Sequence, residues 1–121
     1  MKTPSLCLAA IAGLIAVIHP AHARTPYDGS WDLVFVTQTG ACDPSYNFTI
    51  NISDGIVSHP NLVRFWGQVA RSGAVRASVA VSNRYAAGSG RLSGRTGRGT
   101  WSGYSGRARC AGYWIARRNR W

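Results

Sequence analysis

The run Tyr46-Asn47-Phe48-Thr49-Ile50-Asn51-Ile52-Ser53, followed at once by Asp54-Gly55, decides the fold class of this 121-residue chain. Tyr46, Phe48, Ile50 and Ile52 alternate with Asn47, Thr49, Asn51 and Ser53, the period of a strand with one face buried and the other in water. Asp54-Gly55 supplies a two-residue link whose positions both tolerate positive φ, which is the chemistry of a tight hairpin. Ile56 to Ser58 therefore reads as the start of a return strand.

The same alternation extends in both directions. Upstream, from Ser30, Trp31, Leu33 and Phe35 alternate with Asp32 and partly apolar neighbours. Downstream, Pro60-Asn61 breaks the run, and Leu62 to Ala70 reads as a fourth strand with Val63, Phe65 and Val69 on one face and Arg64 and Gln68 on the other. After Ser72-Gly73, the strand Ala74 to Val81 directs Val75, Ala77, Val79 and Val81 inward. Ser82-Asn83 turns into Arg84 to Leu92, whose inner positions Ala86, Gly88, Gly90 and Leu92 are mostly small. Such residues let a wall approach closely or make room for Trp31, Trp66, Trp101 or Trp114. Its outer face carries Tyr85, Ser89 and Arg91. Arg98 to Gly103 and Arg109 to Arg117 complete eight strands, the last with Cys110, Gly112, Trp114 and Ala116 on one face. The tail from Arg118 to Trp121 reads as loose.

No helical stripe occurs in residues 24–121, and short links join every strand. We expect one all-β domain, an antiparallel up-and-down meander closing into a small eight-stranded barrel, with a β-sandwich as the alternative.

Residues 1–23 read as a secretory signal. Met1-Lys2 is the positive start, Leu6 to Ile18 the apolar stretch, and Ala21-His22-Ala23 a cleavage site, with the cut after Ala23. The apolar stretch is shorter than the roughly 20 residues a spanning helix needs. Cys7 leaves with this segment. Cys42 and Cys110 remain, and an exported chain with two cysteines predicts one disulfide in the oxidising periplasm or outside the cell. In an eight-strand meander the loop after strand one and the start of strand eight lie at the same end, which is where these two cysteines fall. A loop of that length predicts about 4 kcal/mol of stabilisation.

The charge is one-sided. The chain carries 14 Lys plus Arg against 4 Asp plus Glu, a net +10. Every acid, Asp28, Asp32, Asp43 and Asp54, precedes Gly55, and twelve arginines follow it. Guanidinium groups bind phosphate, sulfate and carboxylate in bidentate fashion and stack on aromatic rings. Arginines and aromatics also interleave at Arg64-Phe65-Trp66, Arg84-Tyr85, Trp101 to Tyr104 and Tyr113-Trp114. Alternation places Trp66, Tyr85, Tyr104 or Tyr113 on the exterior, as stacking platforms.

Catalytic chemistry finds little material. One histidine after residue 23 and two paired cysteines leave no metal site, and no cofactor is expected. Asp28 and Asp32 flank Gly29-Ser30-Trp31 at a strand entry, where turn formation is the simpler role. His59 sits in Ser58-His59-Pro60 with no spacing that ties it to a nucleophile. Gly94-Arg95-Thr96-Gly97 lacks the ending of a phosphate loop.

At Asp28-Gly29-Ser30-Trp31, Cys42, the segment Gly88 to Gly94, Gly99 to Gly103 and Cys110 to Trp114, the chain resembles small secreted proteins of rhizobial-type alphaproteobacteria that lack an assigned function. The resemblance implies export and a single disulfide, and no activity. A looser likeness, at the level of fold alone, is to small periplasmic barrel inhibitors of metalloproteases.

The expected function is non-catalytic: an exported cationic module for an anionic polymer or envelope component, namely lipopolysaccharide, acidic polysaccharide or extracellular nucleic acid. The expected contact set is Arg64, Arg76, Arg84, Arg91 and Arg98, read as outward side chains of neighbouring strands, with Tyr85 as a stacker. The alternative is a protein-binding, protease-inhibitor-like barrel working through a loop end.

Overall fold

The computed structural model describes residues 25–61 and 64–119; the expected signal segment lies outside them, as do Arg24, Leu62, Val63, Arg120 and Trp121. Eight strands follow in chain order: β1 (Gly29–Thr39), β2 (Ser45–Ser53), β3 (Ile56–Ser58), β4 (Phe65–Val69), β5 (Ala74–Val81), β6 (Arg84–Ser93), β7 (Thr96–Ser105) and β8 (Ala108–Arg118). Each pairs antiparallel with the next, and β8 returns to pair with β1. The sheet is a closed barrel, which removes the exposed edges a sandwich would have to protect.

The turns behave as their chemistry requires. Asp54 (φ 54°) and Gly55 (φ 79°) both adopt the left-handed region in the β2–β3 hairpin. Several boundaries differ from the sequence reading by one to three residues. β4 begins at Phe65, with Arg64 in the preceding turn, and β7 and β8 start two residues and one residue earlier than hydrophobic alternation indicates. In β7 the inward positions beside Trp101 are Gly97, Gly99 and Gly103, which carry no apolar signal although they pair fully with β6.

The tail expectation is corrected for Arg118 and Asn119. Arg118 ends β8 opposite Trp31, and the Asn119 N–H donates to the Ser30 carbonyl at 2.9 Å. Closure against β1 supplies partners that the linear sequence does not display.

The two ends of the barrel differ. At the end where the chain enters, Trp31 (0% exposed), Ile52, Val57, Val69, Leu92 and Ala116 pack into a core. Each larger aliphatic side chain in it contributes roughly 1.5–3 kcal/mol through burial. Residues 25–28 lie across this end: Tyr27 packs on the core, its carbonyl accepts from Trp31 Nε1–H at 2.9 Å, and Arg118 donates to the carbonyls of Pro26 (2.9 Å) and Asp28. At the opposite end the Cys42–Cys110 disulfide ties the β1–β2 loop to β8, with Cα atoms 6.1 Å apart.

Between the ends the barrel is hollow, with a cavity of about 420 Å³. The cause is the run of small inward residues on β5 to β7, among them Ala77, Ala86 and Gly88. The Trp114 ring takes up part of the space they leave. A Cβ built on Gly90 would stand 2.5 Å from Trp114 Cζ2, and one on Gly99 2.6 Å from the same ring. The small residues of β6 thus seat Trp114 and leave the rest of the interior open, whereas Trp66 faces outward.

Candidate functional site

Pairing register fixes what shares the outer face of β4 to β7. One row across the sheet reads Trp66, Ser78, Ala87, Ser102; the next reads Gln68, Arg76, Ser89, Thr100, Tyr113. Neighbouring strands are about 4.8 Å apart and same-face rows about 7 Å apart, so these side chains form one patch. Small residues floor it, and Trp66, Arg76 and Tyr85 border it, making a shallow groove. Trp66 is 52% exposed, which marks an indole held out in water. Four hydroxyls, from Ser78, Ser89, Thr100 and Ser102, line the same groove.

Above it, Tyr85 and Tyr104 sit opposite each other on β6 and β7 and stack with centroids 5.9 Å apart and planes 29° apart. Both are partly exposed, and an aromatic pair of this kind offers a flat platform. Arg64 joins the upper row through its carbonyl, which accepts from the Ala80 N–H at 3.0 Å, and Ala80 pairs with Tyr85. Below, Arg91 and Arg98 stand directly opposite each other. Like charges in that relation repel. Arg91 also donates to the Ser72 carbonyl at 3.3 Å, which holds its guanidinium near the β4–β5 turn. No acid occurs anywhere from Phe65 to Ser105.

Arg76, Tyr85, Arg91 and Arg98 thus share one face, and Arg64 is exposed in the turn that precedes β4. Arg84 is placed differently. It has the parity of Ala86 and Leu92 and, while exposed, stands at the mouth of the interior rather than beside the groove. Trp66, Tyr104 and Tyr113 belong to the outer face as firmly as the arginines do; their parity with Gln68, Ser102 and Ile115 was the available signal.

The remaining candidates have structural partners. His59 packs edge-on against Phe48 with centroids 6.0 Å apart, and its Nδ1 accepts from the Asn61 N–H at 3.1 Å. Asp28 accepts from the N–H groups of Asp54 (2.8 Å) and Gly55 (3.3 Å) and from the Thr25 hydroxyl (2.6 Å). Burial alone would push its carboxyl up, and these hydrogen bonds outweigh that, so its pKa lies below the ordinary carboxylate value. Asp32 accepts from Thr49 and Asn119. Among the described residues no three His, Cys, Asp or Glu side chains gather where they would hold a metal ion.

No protein-family profile, curated protein or solved structure matches the chain.

Proposed function

We propose that this protein is an exported, non-catalytic binding module for an acidic polysaccharide, which it grips across the outer face of β4 to β7. The observation that carries the reading is the groove itself: an exposed indole, a tyrosine pair and Arg76 border a floor of hydroxyls on a stretch of chain without acids. Sugar rings have apolar faces that stack on aromatics and hydroxyls that exchange hydrogen bonds with Ser and Thr, and a uronate carboxylate suits a guanidinium fork.

Nucleic acid fits less well. A phosphate on every nucleotide asks for cations tracking the strand, and the groove has one, Arg76, with the Arg91–Arg98 pair one row beyond it. The disulfide is compatible with an oxidising, exported location.

The test is binding of the oxidised protein to a polyuronate, a neutral glycan, single-stranded DNA and lipopolysaccharide across a salt series. Preferential binding to the polyuronate that weakens with salt and is lost in Trp66→Ala and Arg76→Gln supports the reading. Equal binding to every polyanion, preference for DNA or lipopolysaccharide, or polyuronate binding indifferent to both substitutions would overturn it.

A further inference from the structure

The barrel interior is a cavity distinct from the outer groove in most of its lining, and its polarity is graded along its length. Toward the closed end its walls are Trp31, Ile50, Ile52, Val69, Leu92 and Trp114. The three inward indoles have spent their donors on backbone: Trp31 Nε1–H donates to the Tyr27 carbonyl at 2.9 Å, Trp101 Nε1–H to the Val36 carbonyl at 3.1 Å and Trp114 Nε1–H to the Ser89 carbonyl at 3.3 Å. Polar lining lies mostly near the mouth, at Tyr46, Arg84, Tyr85, Tyr104 and Ser105, close to the strand ends beside the loops of the disulfide end, with Ser78 of β5 farther in. Arg84 is an exposed cation there, next to the β5–β6 turn.

The size of the cavity, about 420 Å³, lies within the range of small-molecule sites. Its lining runs along β6 from Arg84 at the mouth to Leu92 in the packed end, about 26 Å of strand or roughly 20 Å along a barrel axis to which strands are tilted, which sets the greatest depth it can have. Water holds poorly in such a space because each molecule needs two to four polar partners, and the lower walls offer few. A long apolar body matches those walls, and an anionic end matches the mouth.

We infer that the barrel holds one single-chain anionic amphiphile, a long-chain carboxylate or a close equivalent, with its hydrocarbon tail toward Trp31 and its charged end at Arg84. The cavity and the outer groove share wall residues, Tyr85 among them, but Trp66 belongs to the groove alone and Arg84 to the cavity alone, so the two can be tested separately.

Chain length is the diagnostic variable. If the tail occupies the cavity, affinity rises about fourfold for each added methylene, the equivalent of about 0.8 kcal/mol, until the space is filled. The experiment titrates the oxidised protein with saturated carboxylates of increasing length and with carboxylates brominated along the chain, reading tryptophan fluorescence. Alkyl phosphates and alcohols of matched length form further arms.

The expected result is saturable one-to-one quenching by brominated chains and a fourfold step per methylene that levels off. Carboxylate and phosphate should each exceed the alcohol by about fivefold at low salt, a preference abolished in Arg84→Gln. Comparable carboxylate and phosphate affinity identifies the site as one for the anion in general, and a tighter carboxylate names it as a carboxylate site; either supports the inference. Ala86→Phe, which fills the cavity, should abolish binding, and Trp66→Ala should leave it intact. Arg84→Gln, at an exposed position, decides the matter if Ala86→Phe does not fold. Affinity independent of chain length, no saturable quenching, an alcohol bound as tightly as the anions, or carboxylate binding lost in Trp66→Ala would overturn the inference while leaving the polysaccharide reading to its own test.

Discussion

Arg118 lies over the ring of Trp31, its guanidinium carbon 5.2 Å from the ring centroid, at the closed end of the barrel. The same guanidinium donates to the carbonyls of Pro26 and Asp28, so one side chain from the last strand clamps the entering chain and caps the most buried residue of the first. The energies involved are those of a partly desolvated cation–π pair, about 1–2 kcal/mol, and two charge-assisted hydrogen bonds.

Replacing Arg118 by Ala is therefore expected to destabilise the protein by about 2–4 kcal/mol. Arg118→Lys should recover only part of that, since a lysine cannot stack its head group flat on the indole while bonding two carbonyls. Urea unfolding followed by tryptophan fluorescence measures both. A midpoint for Arg118→Ala within error of the parent would show that the clamp is ornamental.

Asp28 makes the same end sensitive to acid. Its pKa lies below the ordinary value because the Thr25 hydroxyl and the N–H groups of Asp54 and Gly55 favour the charged carboxylate more than burial disfavours it. A depressed folded-state pKa means stabilisation that is complete above the unfolded value of about 3.9 and lost as pH falls through the folded one. The parent should thus be more stable than Asp28→Asn at pH 7, and the gap should narrow as pH drops through the range below about 4. Unfolding midpoints at pH 7, 5, 4 and 3 decide it; a gap that stays constant with pH rules out the carboxylate's charge as the cause.

The alternation of Tyr46 to Ile52, the Asp54-Gly55 turn and the strand-count parity of Cys42 and Cys110 made the barrel and its bridge readable, because period two and turn chemistry are local properties. Closure with Arg118 is not local. Its partners, Pro26, Asp28 and Trp31, lie about ninety residues away and become neighbours only when β8 meets β1. Arg84 is ambiguous for a different reason: alternation in β6 gives it the parity of Ala86, while its charge and its place at a strand end keep it exposed, so it sits at the mouth of the interior. The groove was half legible, since the arginines stand out by composition whereas the hydroxyl floor of Ser78, Ser89, Thr100 and Ser102 acquires meaning only from register. The hollow interior depends on summed side-chain volume, which no periodicity reports.

Gly90 tests that volume argument from the other side. A Cβ there would overlap the Arg98 carbonyl oxygen of β7 and stand 2.5 Å from Trp114 Cζ2 and 2.6 Å from the Gly99 Cα, so its absence makes room for both the neighbouring backbone and the indole. Gly90→Ala should cost about 1–3 kcal/mol by overpacking, although alanine ordinarily suits a strand no worse than glycine does. Near-UV circular dichroism should change with it as the indole shifts. A variant as stable as the parent, with an unchanged aromatic spectrum, would mean that Trp114 is not seated as described.

The opposed pair Arg91–Arg98 carries a conflict between stability and binding. Two arginines paired directly across β6 and β7, on a stretch of sheet without a single acid, raise the free energy of the unliganded protein. An anion placed between them relieves that repulsion, so the cost is recovered on binding. Arg98→Gln is expected to stabilise the free protein by a few tenths of a kcal/mol at low salt, with the gain fading as ionic strength rises and screening takes over. The same substitution should weaken polyuronate binding and flatten its salt dependence by about one contact. Arg98 rather than Arg91 is the one to change, because Arg91 is also bonded to the Ser72 carbonyl and its loss would mix two effects. Thermal unfolding at low and high salt, run beside the binding isotherms, gives both halves. A variant less stable than the parent at low salt would show that Arg98 supports the sheet by packing, and one that binds polyuronate with undiminished affinity would remove the lower row from the contact surface.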